Sequence, residues 1–420
     1  MRRVGSTRPR VAAVLSAALL TSAAFSWAAA NPADTDAKLR QLMTQARQPA
    51  SAASAARAVA AISPERLKQK AQLLITGEAA LARIDLNAAL QAFDQAASIQ
   101  HAADTEMALV RTYLQGGQYR RALASGAHTA GAHLDVVAGS ALYAWLLNAG
   151  GQTAVGQRLL DEAEARIPNH LLVRSVQQQW RSGLPLATDV LLNLPTRLAP
   201  YSSGAALPAK ARVAGSGVLL AGGQHALVPL ALLPAKAEAI WVRNGLGQTV
   251  PVRLSTRLPQ AGVALLQLGA ALPVADDVWV ATNEAFPGSA GFALEYTPAP
   301  TAQAAWPVLR SGFVGGVPPK PASADDRLLG IDMPPGPRGG PVFDAGGRLI
   351  GLALAGPQAP LLVTARVLRR ELARVAPAVP AALGPPPPAD LQSRKPVDAI
   401  YETALKTTLQ LITLQIIPPQ

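Results

Sequence analysis

The sequence predicts a multidomain α + β protein: an α-helical repeat half, an all-β half and a short apolar helix at the end. Three observations predict it. From Asp36 to about Gly183, proline is sparse and apolar residues recur every three or four positions, the helical period. From 201 to 376, short Val, Leu and Ile runs alternate with glycine and proline turns. After a proline-rich stretch, 397–417 regains helical periodicity.

Composition narrows the function classes. The chain has 420 residues, half of them hydrophobic, so it can build real cores. It has no cysteine, which excludes disulfides, zinc–thiolate sites, iron–sulfur clusters and cysteine nucleophiles. The formal net charge is +12, falling to about +8 without the four N-terminal arginines. That balance suits solubility and anionic surfaces and gives no ground for dedicated nucleic-acid binding.

Residues 1–30 have the three-part layout of a secretory signal peptide. Four arginines lie within residues 1–10, an apolar stretch spans 11–25, and Ala28-Ala29-Ala30 suits a signal peptidase. The expected address is the periplasm, reached by Sec export. No later run reaches the length of a membrane span.

The helical half is assigned to 31–186, with Pro49, Pro64 and Pro168 at helix boundaries. A repeat runs through it. Residues 83–99 (RIDLNAALQAFDQAASI), 115–123 (QGGQYRRAL) and 149–168 (AGGQTAVGQRLLDEAEARIP) share a polar turn followed by a helix with small residues. The small residues Ala89, Ala122 and Gly156 are 33 and 34 positions apart. Ala96 and Ala163 are the later small positions, and Gly77 and Ala144 hold the small position of the first helix. Phe93 is the aromatic that fills the space beside them, and Gly126 stands where the middle repeat should have one. Paired helices cross closely only where a side chain is small. The pattern resembles the tetratricopeptide repeat, whose period is about 34 residues. That resemblance implies a stack with a concave groove for a protein or peptide partner.

A linker is placed at 187–200 and the β half at 201–376. Its many short runs, among them GSGVLLAGG, HALVPLALL, GVALLQLG and GFALEYT, indicate a barrel or sandwich. Gly215-Ser216-Gly217-Val218, Ser311-Gly312-Phe313-Val314 and Gly336-Pro337-Arg338-Gly339-Gly340-Pro341, followed by Asp344 and the run Gly347–Gly351, occur in that order. Together they resemble a trypsin-like serine protease of the bacterial HtrA type, which implies a double β-barrel.

The chemistry departs from that family. A serine protease needs a hydroxyl, an imidazole and a carboxylate. Aligned with the family pattern, the nucleophile position is Arg338, whose guanidinium stays protonated. The histidine position is Ala231 or Leu232, depending on a one-residue slip, and the aspartate position is Gly262. Of the five histidines, only His225 is in the β half, roughly 20 Å from the far end of its strand. Ser289, in Pro287-Gly288-Ser289-Ala290-Gly291, lacks the strand–turn–helix context of a nucleophile elbow. His101, His128, His133 and His170 show no two-histidine-plus-carboxylate spacing, so no metal site and no cofactor are expected. Gly336, Arg338, Gly339 and Gly340 form an amide-rich loop that can hold a carboxylate or other anion.

The tail divides into a proline-rich linker at 377–396 and an apolar helix at 397–420. Ile400, Tyr401, Ala404, Leu405, Thr408, Leu409 and Ile412 are expected on one face, docked on the chain itself or on a partner. The whole reads as a noncatalytic periplasmic scaffold or adaptor, a pseudoprotease rather than an enzyme, with a protein or peptide partner. An active serine endopeptidase with a rearranged catalytic site and a structural subunit of a cell-envelope complex remain open.

Overall fold

Ser63 begins the helical half by accepting the Arg66 N–H at 3.4 Å, and Pro64 follows at the first helical position, where no amide partner is needed. The computed structural model describes residues 62–181, 189–233, 237–274, 279–318, 327–333, 339–356, 359–375 and 394–415. The expected signal at 1–30, residues 31–61, Gly336, Arg338 and positions 377–393 lie outside the described residues.

Seven helices among the described residues form the first half: α1 (Pro64–Ala82), α2 (Leu86–Ile99), α3 (Ala103–Gln115), α4 (Tyr119–Ala132), α5 (Val137–Ala149), α6 (Thr153–Arg166) and α7 (Leu171–Arg181). The first six are joined as three hairpins whose turns repeat one geometry. Gln118 N–H bonds to Tyr113 O at 2.9 Å, and Gln152 N–H to Leu147 O at 2.7 Å. Gly117 and Gly151 supply the left-handed residue these turns require, with φ of 72° and 83°. Ile84 takes the same conformation in the first turn, at φ 60°.

Ala89, Phe93, Ala96, Ala122, Ala144 and Ala163 are all fully buried. A Cβ on Gly77 would lie 2.4 Å from the Phe93 ring, so the ring occupies the space the glycine leaves. Gly156 meets the Ala144 carbonyl and Trp180 in the same way. Opposite Gly126, the gap is filled by Tyr143 of the next helix, 3.3 Å from where a Cβ would stand.

The second half is two closed six-stranded barrels. The first uses β2 (Arg212–Leu219), β3 (His225–Pro229), β4 (Ala237–Asn244), β5 (Gln248–Leu258), β6 (Val263–Leu268) and β14 (Thr408–Gln415); the short β1 (Ser203–Gly204) pairs in parallel with β5. The second uses β8 (Ala290–Glu295), β9 (Val308–Val314), β10 (Arg327–Ile331), β11 (Pro341–Asp344), β12 (Arg348–Leu354) and β13 (Leu361–Thr364), with β7 (Trp279–Val280) beside β12. Helix α8 (Ala365–Val375) follows β13, and α9 (Val397–Thr407) precedes β14.

The end of the chain differs from the expected single helix over 397–420. Helix α9 stops at Thr407, and the chain continues as β14 between β2 and β4, closing the first barrel. The physical reason lies in the residues. Thr407, Thr408, Ile412 and Thr413 are β-branched and favour a pleated strand over a helix. Leu409 and Leu411 alternate into the first barrel's core. Ile400, Tyr401, Ala404 and Leu405 remain on the helix and are buried. Thr408, Leu409 and Ile412 are buried in the strand instead.

Helix α9 touches every part of the fold. Tyr401 donates to Pro307 O at 2.7 Å, Gly245 N–H bonds to Leu405 O at 2.9 Å, and the Tyr401 ring lies 4.3 Å from the Tyr119 ring of α4. Glu402 accepts from the Arg120 N–H at 2.8 Å. The helical turns also lean on the barrels, Gly117 against Leu246 and Gly151 against Leu309. One hydrophobic core therefore runs from Trp145 and Tyr119 through Tyr401 to Leu227 and Phe343.

Candidate site at the seam between the barrels

Strand β3 ends at Pro229, and Leu230–Leu232 make a single 3₁₀ turn. The Leu230 N–H bonds to the Gly262 carbonyl at 2.8 Å, so this turn and the residue before β6 face each other. Gly262 ends its own short 3₁₀ turn in the left-handed region at φ 64°. Ala231 is exposed, whereas Leu232 points inward to the first barrel's core and fills the space beside Gly215. Of the two residues considered for the imidazole position, Ala231 is the outward one.

Gly339 and Gly340 lead into β11 of the second barrel and reach back to the first. A Cβ on Gly339 would lie 2.1 Å from Ser216 O and 2.4 Å from Pro229 Cδ. On Gly340 it would collide with Leu294 O. Both positions require the bare backbone. The Gly340 carbonyl accepts the Ala353 N–H at 3.0 Å. Leu354 closes the seam, its Cδ1 3.1 Å from where Gly262 would carry a Cβ. The structure thus gathers the Leu230–Leu232 turn, Gly262 and Gly339–Gly340 at one inter-barrel seam.

Ser216 brings a hydroxyl to that seam, but the hydroxyl is buried and committed. It donates to Tyr296 O at 3.2 Å and accepts from Tyr296 N–H at 2.6 Å. Burial alone pushes the Tyr296 phenol well above its ordinary range, even though the Arg243 charge pulls the other way. Ser289 precedes β8, with its N–H on Phe286 O at 2.9 Å. The pairing Asp344↔Gly291 puts Ser289 at the opposite end of β8 from the Leu294–Gly340 contact. His225 pairs with Gln267 at the start of β3, across the strand from the Leu230 turn. Neither residue reaches the seam.

The histidines of the helical half depart from the expectation of no metal-type grouping. His101 precedes α3, Glu106 is in its first turn, His128 is on α4, and His133 caps its C-terminus. All three imidazoles converge on Glu106 Oε1: His101 Nε2 at 2.7 Å, His133 Nε2 at 3.1 Å and His128 Nε2 at 3.7 Å. Local spacing hides this arrangement because the ligands lie at the open end of the α3–α4 hairpin, His101 and Glu106 at the start of α3 and His128 and His133 near the end of α4, and meet only when the two helices pair. His170 stands apart and accepts the Leu172 N–H at Nδ1.

The comparisons with known proteins concern the barrels. Residues 213–352 match the family model described as the trypsin-like peptidase domain, in accord with the two closed barrels. The MamO protease domain from Magnetospirillum magneticum is 21% identical, covering 38% of this chain and 96% of its own, with a TM-score of 0.29. The active form of the Rv3671c protease from M. tuberculosis is 15% identical, covering 43% and 84%, with a TM-score of 0.31. Deg5 is 17% identical, covering 40% and 89%, with a TM-score of 0.29. No curated protein matches the chain. Among the described residues, no helix is long and apolar enough to cross a membrane.

Proposed function

We propose that this chain is a noncatalytic protein-binding scaffold or adaptor of the bacterial cell envelope. It joins tetratricopeptide-type repeats to a trypsin-like peptidase domain without a catalytic triad, and its signal sequence delivers it to the periplasm. The observation that carries the reading is the pairing of the Leu230–Leu232 turn with Gly262. The two segments that would present imidazole and carboxylate meet at 2.8 Å, and between them they offer Ala231 outward and a glycine. Neither can accept or orient a proton. Arg338, at the nucleophile position of the sequence pattern, has no group that attacks a carbonyl.

The seam between the barrels keeps its use as a binding surface. An extended peptide can lie along it as an added strand, held by main-chain hydrogen bonds, without being cut. The helical stack supplies a second surface for the same partner. The test is capture of unfolded peptides on the immobilised full-length protein, followed by mass spectrometry of what elutes. Intact peptides support the reading. Peptides recovered as fragments contradict it.

A further inference from the structure

We propose that His101, His133 and Glu106, with His128 at the edge, form a binding site for a divalent transition-metal ion of the zinc class. This inference does not depend on how the inter-barrel seam is read.

The geometry carries it. The ligand atoms of His101, Glu106 and His133 all lie within 4.8 Å of one another. Tetrahedral zinc with bonds of about 2.0–2.1 Å needs donors about 3.3 Å apart, a modest adjustment from this arrangement. Glu106 is only 8% exposed, and three ring nitrogens crowd one of its oxygens. A single carboxylate oxygen has two lone pairs and cannot serve three N–H donors well. Its other oxygen, Oε2, is buried and has no hydrogen-bond partner among the described residues. An orphaned carboxylate oxygen beside an oversubscribed one is poor hydrogen bonding but a good donor set for a cation.

The donor chemistry selects the ion. Three imidazoles and one carboxylate suit zinc, copper(II) or nickel(II). Calcium and magnesium prefer oxygen ligands. The surrounding residues hold the ligands in place: Lys70 Nζ bonds to Asp104 at 2.8 Å and to Gln100 at 3.0 Å, tying down the segment that carries His101. A bound ion would join the α2–α3 connection and the first turn of α3 to the C-terminal end of α4, clamping the open end of the α3–α4 hairpin.

The experiment uses the full-length protein, stripped with a chelator and titrated with zinc chloride by calorimetry. The expected result is saturable binding of one equivalent. His101 and His128 are exposed, at 62% and 59% for their side chains, so a His101→Ala/His128→Ala variant leaves the buried core intact. Since loss of even an outer partner costs about 10–100-fold in metal affinity, this variant should bind at least about tenfold more weakly. A His170→Ala/His225→Ala variant should bind as the parent does. X-ray absorption at the zinc edge of the unaltered protein reads the ligands without any substitution and should report imidazole nitrogen. No saturation, undiminished binding in His101→Ala/His128→Ala, or a shell of oxygen alone overturns the proposal.

Discussion

Leu230 donates its backbone N–H to the carbonyl of Gly262 at 2.8 Å, locking the end of β3 to the start of β6. The bond fixes two segments whose own residues, Leu230, Ala231, Leu232 and Gly262, carry no titratable side chain. Shape and chemistry are separable at this seam because backbone and packed leucines build it, with Leu232 buried on one side and Leu354 against Gly262 on the other.

Tyr401 joins the three parts of the fold, so its substitution should affect all of them. Tyr401→Ala removes a fully buried ring and should destabilise by about 3–5 kcal/mol, as for other large aromatic truncations. Tyr401→Phe keeps the ring and strands the Pro307 carbonyl, costing about 1–3 kcal/mol. Chemical denaturation measures both. Equal losses in the two variants would contradict this assignment.

A chain ending before Pro396 loses α9 and β14 and leaves β2 and β4 without their shared partner. Two open edges and an uncovered core should make the product aggregate. Adding a peptide of residues 394–415 should restore solubility. Circular dichroism and light scattering read the outcome.

Gly77 tests the helical stack. Its missing Cβ would sit 2.4 Å from Phe93, a fully buried ring that cannot swing away. Gly77→Val should therefore destabilise by about 1–3 kcal/mol, the range for overpacked cores. Gly131, with open space around it, is the control: Gly131→Ala should not destabilise.

Alkaline pH tests the buried tyrosines. Burial raises the phenols of Tyr119, Tyr296 and Tyr401 above their ordinary value of 10.0. Between the unfolded and folded values the native state binds more protons, so the stability they contribute is complete below pH 10 and is lost as pH rises above it. Arg243, lowered by burial to about 10 from 12.5, works in the opposite sense across that interval. Burial also raises Tyr143 and Tyr201 and lowers Arg166 and Arg197, so five phenols stand against three guanidinium groups and stability should fall above pH 10. Tyrosinate absorbance should appear together with loss of tertiary signal. Titration of these tyrosines in a still-folded protein would contradict this account.

The parts that were legible in the sequence are those governed by local chemistry. Gly77, Phe93 and Gly156 mark helix crossings because a crossing needs a gap and something to fill it. The runs around Gly215–Val218 and Gly336–Ile350 show the barrels through their glycines and alternating apolar residues. The strand β14 was hidden because 397–417 satisfies the helical period as far as Leu405 and the strand period after Thr408. What decides between them is the vacancy between β2 and β4, which local sequence does not contain. The histidine cluster was hidden for the same reason: Glu106 and His133 are distant in sequence and become adjacent only when α3 and α4 pair as a hairpin.

The central claim is that the trypsin-like domain does not cut. The most direct measurement exposes the purified full-length protein to a covalent serine-hydrolase probe and, in parallel, to unfolded protein substrate. The predicted result is no labelling and no fragments, with substrate still bound. Labelling or cleavage that disappears in a Ser289→Ala variant would contradict the claim.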